Sequence, residues 1–139
     1  MTTGGAPTFF PTAVLPDEGG GVGGTMVAGP DGALWWSGPF DGFRRIVLTG
    51  TADPPIQLSE FPRPLTPQSY VAIRDVTLGP DGNIWYSTQV SVGCVTSEGK
   101  FHEMPAGDDL LIEHMTLGPD GALWFTQASQ DRLGRVAIN

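Results

Sequence analysis

Basic residues are scarce in this chain. Seven Lys and Arg stand against fifteen Asp and Glu, for a net charge of −8. So few scattered cations make no phosphate-binding patch, which excludes nucleic acid as a partner and disfavours an anionic membrane surface. There is one cysteine, Cys94, so no internal disulfide can form. It lies in the apolar run Val92-Gly93-Cys94-Val95, which reads as a buried, inert thiol. No window approaches the roughly 18 apolar residues that a membrane span needs. Residues 1–7 lack the basic and apolar segments of a secretory leader, so the expected location is the cytoplasm. Charged residues make only 16% of the chain, too few for a coiled coil or a charged helical bundle.

Gly (20), Pro (13) and hydrophobic residues (40%) are plentiful, and there are four Trp in 139 residues. That composition builds a core and suits many short strands joined by tight turns. An internal repeat makes this specific. Gly29-Pro30-Asp31-Gly32-Ala33-Leu34-Trp35-Trp36-Ser37 returns as Gly79-Pro80-Asp81-Gly82-Asn83-Ile84-Trp85-Tyr86-Ser87. It returns again as Gly118-Pro119-Asp120-Gly121-Ala122-Leu123-Trp124-Phe125-Thr126. The opening glycines stand at 29, 79 and 118, so the copies are 50 and 39 residues apart. A period near 40 with Gly- and Trp-marked strands is the sign of a four-stranded propeller blade.

Within each copy, Pro presets the first turn residue, Asp tolerates the second and Gly accepts positive φ. The tetrapeptide is therefore a hairpin turn. The Asp side chains are expected to bond to local backbone. Strands are predicted on both sides of the turn, at 25–28, 76–78 and 115–117, then at 33–37, 83–87 and 122–126. Third strands are predicted at 44–48, 92–96 and 133–138, and fourth strands at 56–61 and 100–104. The third copy has no fourth strand of its own, but residues 8–11 (Thr-Phe-Phe-Pro) read like one. From the permuted count, 1–139 is expected to be a single half-propeller domain.

Three blades do not close a ring, and an open arc exposes apolar flanks. The expected remedy is a head-to-tail homodimer forming a six-bladed ring. Strand 8–11 of one chain then completes the last blade of the other, and the two junctions bury roughly 2,000 Å² or more. A nine-bladed trimer and an unusual monomer stay open. Trp35, Trp85 and Trp124 are expected in the inter-blade core, with Trp36, Tyr86 and Phe125 on the opposite blade faces.

Four residues open the innermost strands and so line the expected channel mouth: Arg74, Asp75, Glu113 and His114. They are candidates for a small-molecule site, and Glu113 is the carboxylate available to a hard cation. The acidic pairs Asp17-Glu18 and Asp108-Asp109 sit in approach loops and read as solubilising charge. The glycine run 19–24 lacks the following Lys and helix of a phosphate loop.

The segments Leu117–Thr126, Arg132-Leu133-Gly134-Arg135-Val136 and Glu60-Phe61-Pro62-Arg63-Pro64 resemble the repeats of the virginiamycin B lyase (streptogramin lyase) family, over about residues 9–139. The resemblance implies a seven-bladed monomer of about twice this length that opens a cyclic depsipeptide by Mg²⁺-assisted elimination. It also implies a His base on an innermost strand and a Glu just after the Trp-aromatic-Thr segment. In this chain the second position holds Gly38, Thr88 and Gln127, and the base position holds Gly24, Arg74 and Glu113. Neither set contains the family's residue. His114 lies one residue beyond the base position, and regular strand alternation turns it to the other face unless a bulge intervenes. The expected function is a binding or self-assembling scaffold without lyase residues. The alternative is a lyase that uses Glu113 and His114 as its catalytic groups, with Mg²⁺.

Overall fold

The computed structural model describes residues 5–7, 24–37, 42–50, 56–64, 72–105 and 111–139. Within them the regular structure is all β. Blade 1 comprises β1 (Thr25–Ala28), β2 (Leu34–Ser37), β3 (Gly42–Leu48) and β4 (Ile56–Pro62). Blade 2 comprises β5 (Asp75–Leu78), β6 (Ile84–Ser87), β7 (Ser91–Val95) and β8 (Phe101–Pro105). Blade 3 comprises β9 (Ile112–Leu117), β10 (Leu123–Gln127) and β11 (Arg132–Val136). Each is an antiparallel meander in which chain order equals sheet order. The predicted strands agree with these to within a residue or two, except β9, which starts three residues earlier. The predicted strand 8–11, both acidic pairs, Gly38 and all but Gly24 of the run 19–24 lie outside the described residues.

The repeated turn forms for local reasons. Gly32, Gly82 and Gly121 have φ of 76°, 77° and 73°, the left-handed region that glycine enters without a Cβ penalty. Gly29 N–H donates to Ala33 O at 2.8 Å, and the other two copies repeat the bond. Each turn Asp accepts the local backbone N–H two residues on, as expected. Each also accepts the indole N–H of the Trp four residues on, at 3.5, 3.0 and 2.9 Å. Turn and core are thereby tied together. The first turn glycine is needed because a Cβ on Gly79 would sit 2.3 Å from the Trp85 ring.

The blades pack by one recurring joint. Trp35 of β2 and Phe43 of β3 meet Ile84 and Tyr86 of β6 between blades 1 and 2. Trp85 of β6 with Val92 and Cys94 of β7 meets Ile112, Met115, Leu123 and Phe125 of blade 3. The Trp face of one blade therefore rests on the aromatic face of the next, as alternation predicts. Trp35 stacks on Phe61 at 5.2 Å, and Phe43 meets Tyr86 at 5.6 Å. Such ring pairs add about 0.5–1.5 kcal/mol each beyond their area. A glycine lies directly across from the aromatic in two blades: Tyr86 pairs with Gly93, and Phe125 with Gly134. The ring lies over the bare backbone, and a Cβ on Gly93 would meet it at 2.5 Å. In blade 1 the partner of Trp36 is Arg44, whose guanidinium sits 5.2 Å from the ring centroid.

Candidate functional site

The first strands β1, β5 and β9 stand side by side, so their leading residues gather along one rim of the arc. Arg74, Asp75, Glu113 and His114 meet there. Arg74 Nη2 approaches Glu113 Oε1 at 3.5 Å, and His114 Nδ1 approaches Asp75 Oδ2 at 3.6 Å. Both contacts join blade 2 to blade 3.

A bulge makes this possible. Met115 pairs with Phe125, yet Ile112 pairs with Gln127, so Glu113 and His114 together oppose the single residue Thr126. Ile112 and Met115, three apart, both enter the core. A regular strand turns them to opposite faces; one extra residue removes the conflict. Expectation and structure differ here. Simple alternation turns His114 away from the mouth, whereas the bulge lets two successive side chains reach β5. His114 N–H donates to Thr126 Oγ1 at 3.2 Å, which anchors the bulge, and its side chain is 84% exposed.

The four residues do different work. Asp75 Oδ2 accepts Met115 N–H at 2.7 Å. Its Oδ1 accepts Val76 N–H at 2.9 Å and the Thr25 hydroxyl at 3.4 Å. One carboxylate thus holds the innermost strands of all three blades. Glu113 faces a guanidinium. Arg74 is fixed through its backbone, where its N–H donates to Ser87 O at 2.8 Å, while its side chain is partly exposed.

Mg²⁺ prefers several oxygen ligands in near-octahedral array. Around this mouth Asp75 is committed to protein donors, Glu113 pairs with Arg74, and the fourth group is an imidazole. Among the described residues no group of three His, Cys, Asp or Glu side chains is placed to hold a metal ion. These residues do not fit a Mg²⁺ centre.

The three turn carboxylates are perturbed for structural reasons. Burial acts to raise Asp31, but the Arg45 guanidinium, at 2.5 Å, the Ala33 N–H and the Trp35 indole outweigh it and hold it below the ordinary range. Asp81 follows the same logic with Trp85 and Asn83. The Trp124 indole and the Arg135 guanidinium lower Asp120 to about 2. Burial pushes the Cys94 thiol up, in keeping with an unreactive core residue. Tyr86 is raised by burial and by Glu103, to which its hydroxyl donates at 2.9 Å. Sequence reasoning missed the Asp–Trp bond, although its signal, Asp and Trp at a constant offset of four, is repeated three times.

No protein-family model matches the chain, and no curated protein matches it. Solved structures do. A catalytically inactive variant of virginiamycin B lyase from Staphylococcus aureus with quinupristin is 28% identical, at a TM-score of 0.72. The match covers 88% of this chain and 40% of that one. Selenomethionine-substituted virginiamycin B lyase from the same organism is 27% identical, at a TM-score of 0.67 over 80% of this chain and 36% of that one. A streptogramin B lyase structure matches in fold at 24% identity and a TM-score of 0.64, with the same coverage. The chain spans about two fifths of the length of these structures. Its fold is that of a virginiamycin B lyase-like β-propeller.

Proposed function

We propose that this chain is a self-assembling half-propeller that presents a ligand site at its channel mouth and does not carry out the Mg²⁺-assisted elimination. The observation behind the second half is Asp75. Its oxygens hold three blades together, and the neighbouring Glu113 faces Arg74, so the carboxylates at the mouth serve structure before chemistry.

The two end faces support assembly. Register places Met26, Leu34, Ile46, Leu48, Ile56 and Leu58 on the blade 1 face that points away from blade 2, and Met26 and Leu48 are exposed. The opposite end of the arc shows Trp124 and an exposed Leu133. Trp124 holds the repeat position of Trp35 and Trp85, and Trp36 that of Tyr86 and Phe125. The two ends are therefore the two halves of the joint already used twice inside the chain, and a second copy supplies the missing half at each end. In the resulting six-bladed ring, residues 8–11 of one chain would pair with the open edge of β11 in the other. Sedimentation at micromolar concentration should give twice the chain mass, and Leu133→Glu should halve it. A compact single-chain species of the unmodified protein refutes ring closure.

A second reading has one observation in its favour. The bulge brings His114 beside Asp75, the pairing that orients an imidazole as a general base. On that reading the chain is a lyase with Glu113 and His114 as catalytic groups. An elimination assay on a streptogramin B substrate, with and without Mg²⁺, decides between them: turnover that His114→Ala abolishes establishes the lyase.

A further inference from the structure

We propose that the mouth between blades 2 and 3 holds the carboxylate group of a small ligand, received by Gln127 and Ser87 with Arg74 at the rim. This rests on the mouth reading above. It does not rest on ring closure, because every residue comes from one chain.

The repeat supplies its own controls. In blade 1 the Ser37 hydroxyl donates to Thr25 O and accepts Thr25 N–H, both at 3.3 Å. In blade 3 the equivalent Thr126 hydroxyl accepts His114 N–H. In blade 2 the equivalent Ser87 is 0% exposed and its Oγ has no partner among the described residues. One residue further on, the Thr88 hydroxyl bonds the Ser91 hydroxyl at 2.6 Å and accepts Ser91 N–H at 3.0 Å. Its blade 3 equivalent is Gln127, which is 6% exposed and whose Nε2 has no partner among the described residues.

These two groups stand on facing surfaces of one seam. Ser87 shares a strand face with Trp85, and Gln127 shares one with Phe125 and Leu123. Those two faces pack on each other between blades 2 and 3. Both residues end their strands at the mouth: Ser87 pairs with Asp75, and Gln127 with Ile112, next to the bulge. Buried polar groups are ordinarily satisfied, because leaving one bare forfeits its hydration. An amide offering two N–H donors and a hydroxyl that can donate ask for an oxygen acceptor. The Arg74 guanidinium is partly exposed and pairs with Glu113 at 3.5 Å, a long contact for which a ligand carboxylate competes with Glu113, and its charge makes a carboxylate the preferred acceptor.

The test is an amide NMR titration of the full chain with N-acetylglycine, with N-acetylglycinamide as the neutral control. The expected result is a saturable shift of the Gln127 side-chain amide signals by the acid and a weaker response to the amide. Gln127→Met should weaken binding about tenfold, the loss of one charge-assisted hydrogen bond. The same variant should melt at a higher temperature than the unmodified protein when no ligand is present, because it removes an unpaired buried donor. A Gln with a purely structural role would lower the melting temperature instead. Equal binding of the amide overturns the carboxylate assignment. Unchanged binding by Gln127→Met, or an ordered water alone on Gln127 and Ser87, overturns the receptor. Shifts confined to Glu113 and His114 overturn it too, while leaving the mouth reading intact. No shift anywhere at the mouth removes both. Sedimentation of the same samples reports ring closure separately.

Discussion

Asp75→Ala should be among the most damaging single changes at the mouth, and the structure says by how much. Three bonds end on this carboxylate, and they are not equal. The Val76 N–H bond is local and forms with little ordering of the rest of the chain. The Thr25 hydroxyl lies at 3.4 Å, near the limit of a hydrogen bond. The Met115 N–H bond, at 2.7 Å, joins residues 40 apart in sequence and carries most of the effect. Truncation removes a charge-assisted bond and strands an inter-blade N–H, a loss of about 3 kcal/mol. At this chain length that corresponds to a fall in Tm of about 10 °C. Asp75→Asn keeps one oxygen to face Met115 and should lose about 1 kcal/mol. Thr25→Val should lose less than that. The assay is urea unfolding followed by Trp fluorescence at fixed protein concentration, because the proposed assembly would make stability depend on concentration. If Asp75→Ala lies within about 0.5 kcal/mol of the unmodified protein, Asp75 is not a clamp. The residue would then return to the set of groups available for chemistry.

Three further outcomes are expected. Asp120 has a carboxyl near 2 when folded against 3.8 when free. Its stabilisation is therefore complete above about pH 5 and is lost as pH falls through about 2; carboxyl NMR should place its midpoint near 2, and Asp120→Asn should flatten the acid limb of the stability curve. Gly93→Ala drives a methyl group into the Tyr86 ring and should lose about 1–3 kcal/mol in urea melts, whereas Gly121→Ala, with open space around it, should suffer only from its positive φ. Cys94 should react with a thiol reagent no faster than the protein unfolds; rapid labelling of the native chain would contradict its place in the blade 2–3 core.

The blades were legible because their instructions are local. Gly-Pro-Asp-Gly needs no tertiary context to make a turn, and the alternation at Trp35-Trp36, Trp85-Tyr86 and Trp124-Phe125 assigns faces by strand geometry alone. That Arg74, Asp75, Glu113 and His114 start neighbouring first strands was legible, and they do meet. Its division of labour was not. The bonds of Asp75 reach to residues 50 positions earlier and 40 later, so no window around it reveals them. The bulge had a faint signal, the apolar residues Ile112 and Met115 three apart on a strand. Reading it required knowing that both belong to the core. Ser87 and Gln127 look unexceptional in sequence. They stand out only when the hydrogen bonds of equivalent positions are compared across blades.

The reuse of a single joint has a bearing on how such chains vary. Because the seam between blades 1 and 2 is built like that between blades 2 and 3, duplicating or deleting about forty residues alters how many seams exist without demanding a new kind. The number of seams in one chain then becomes a matter of counting, set by gene length. A lineage can pass between long and short polypeptides while each wedge keeps the neighbours it was shaped for.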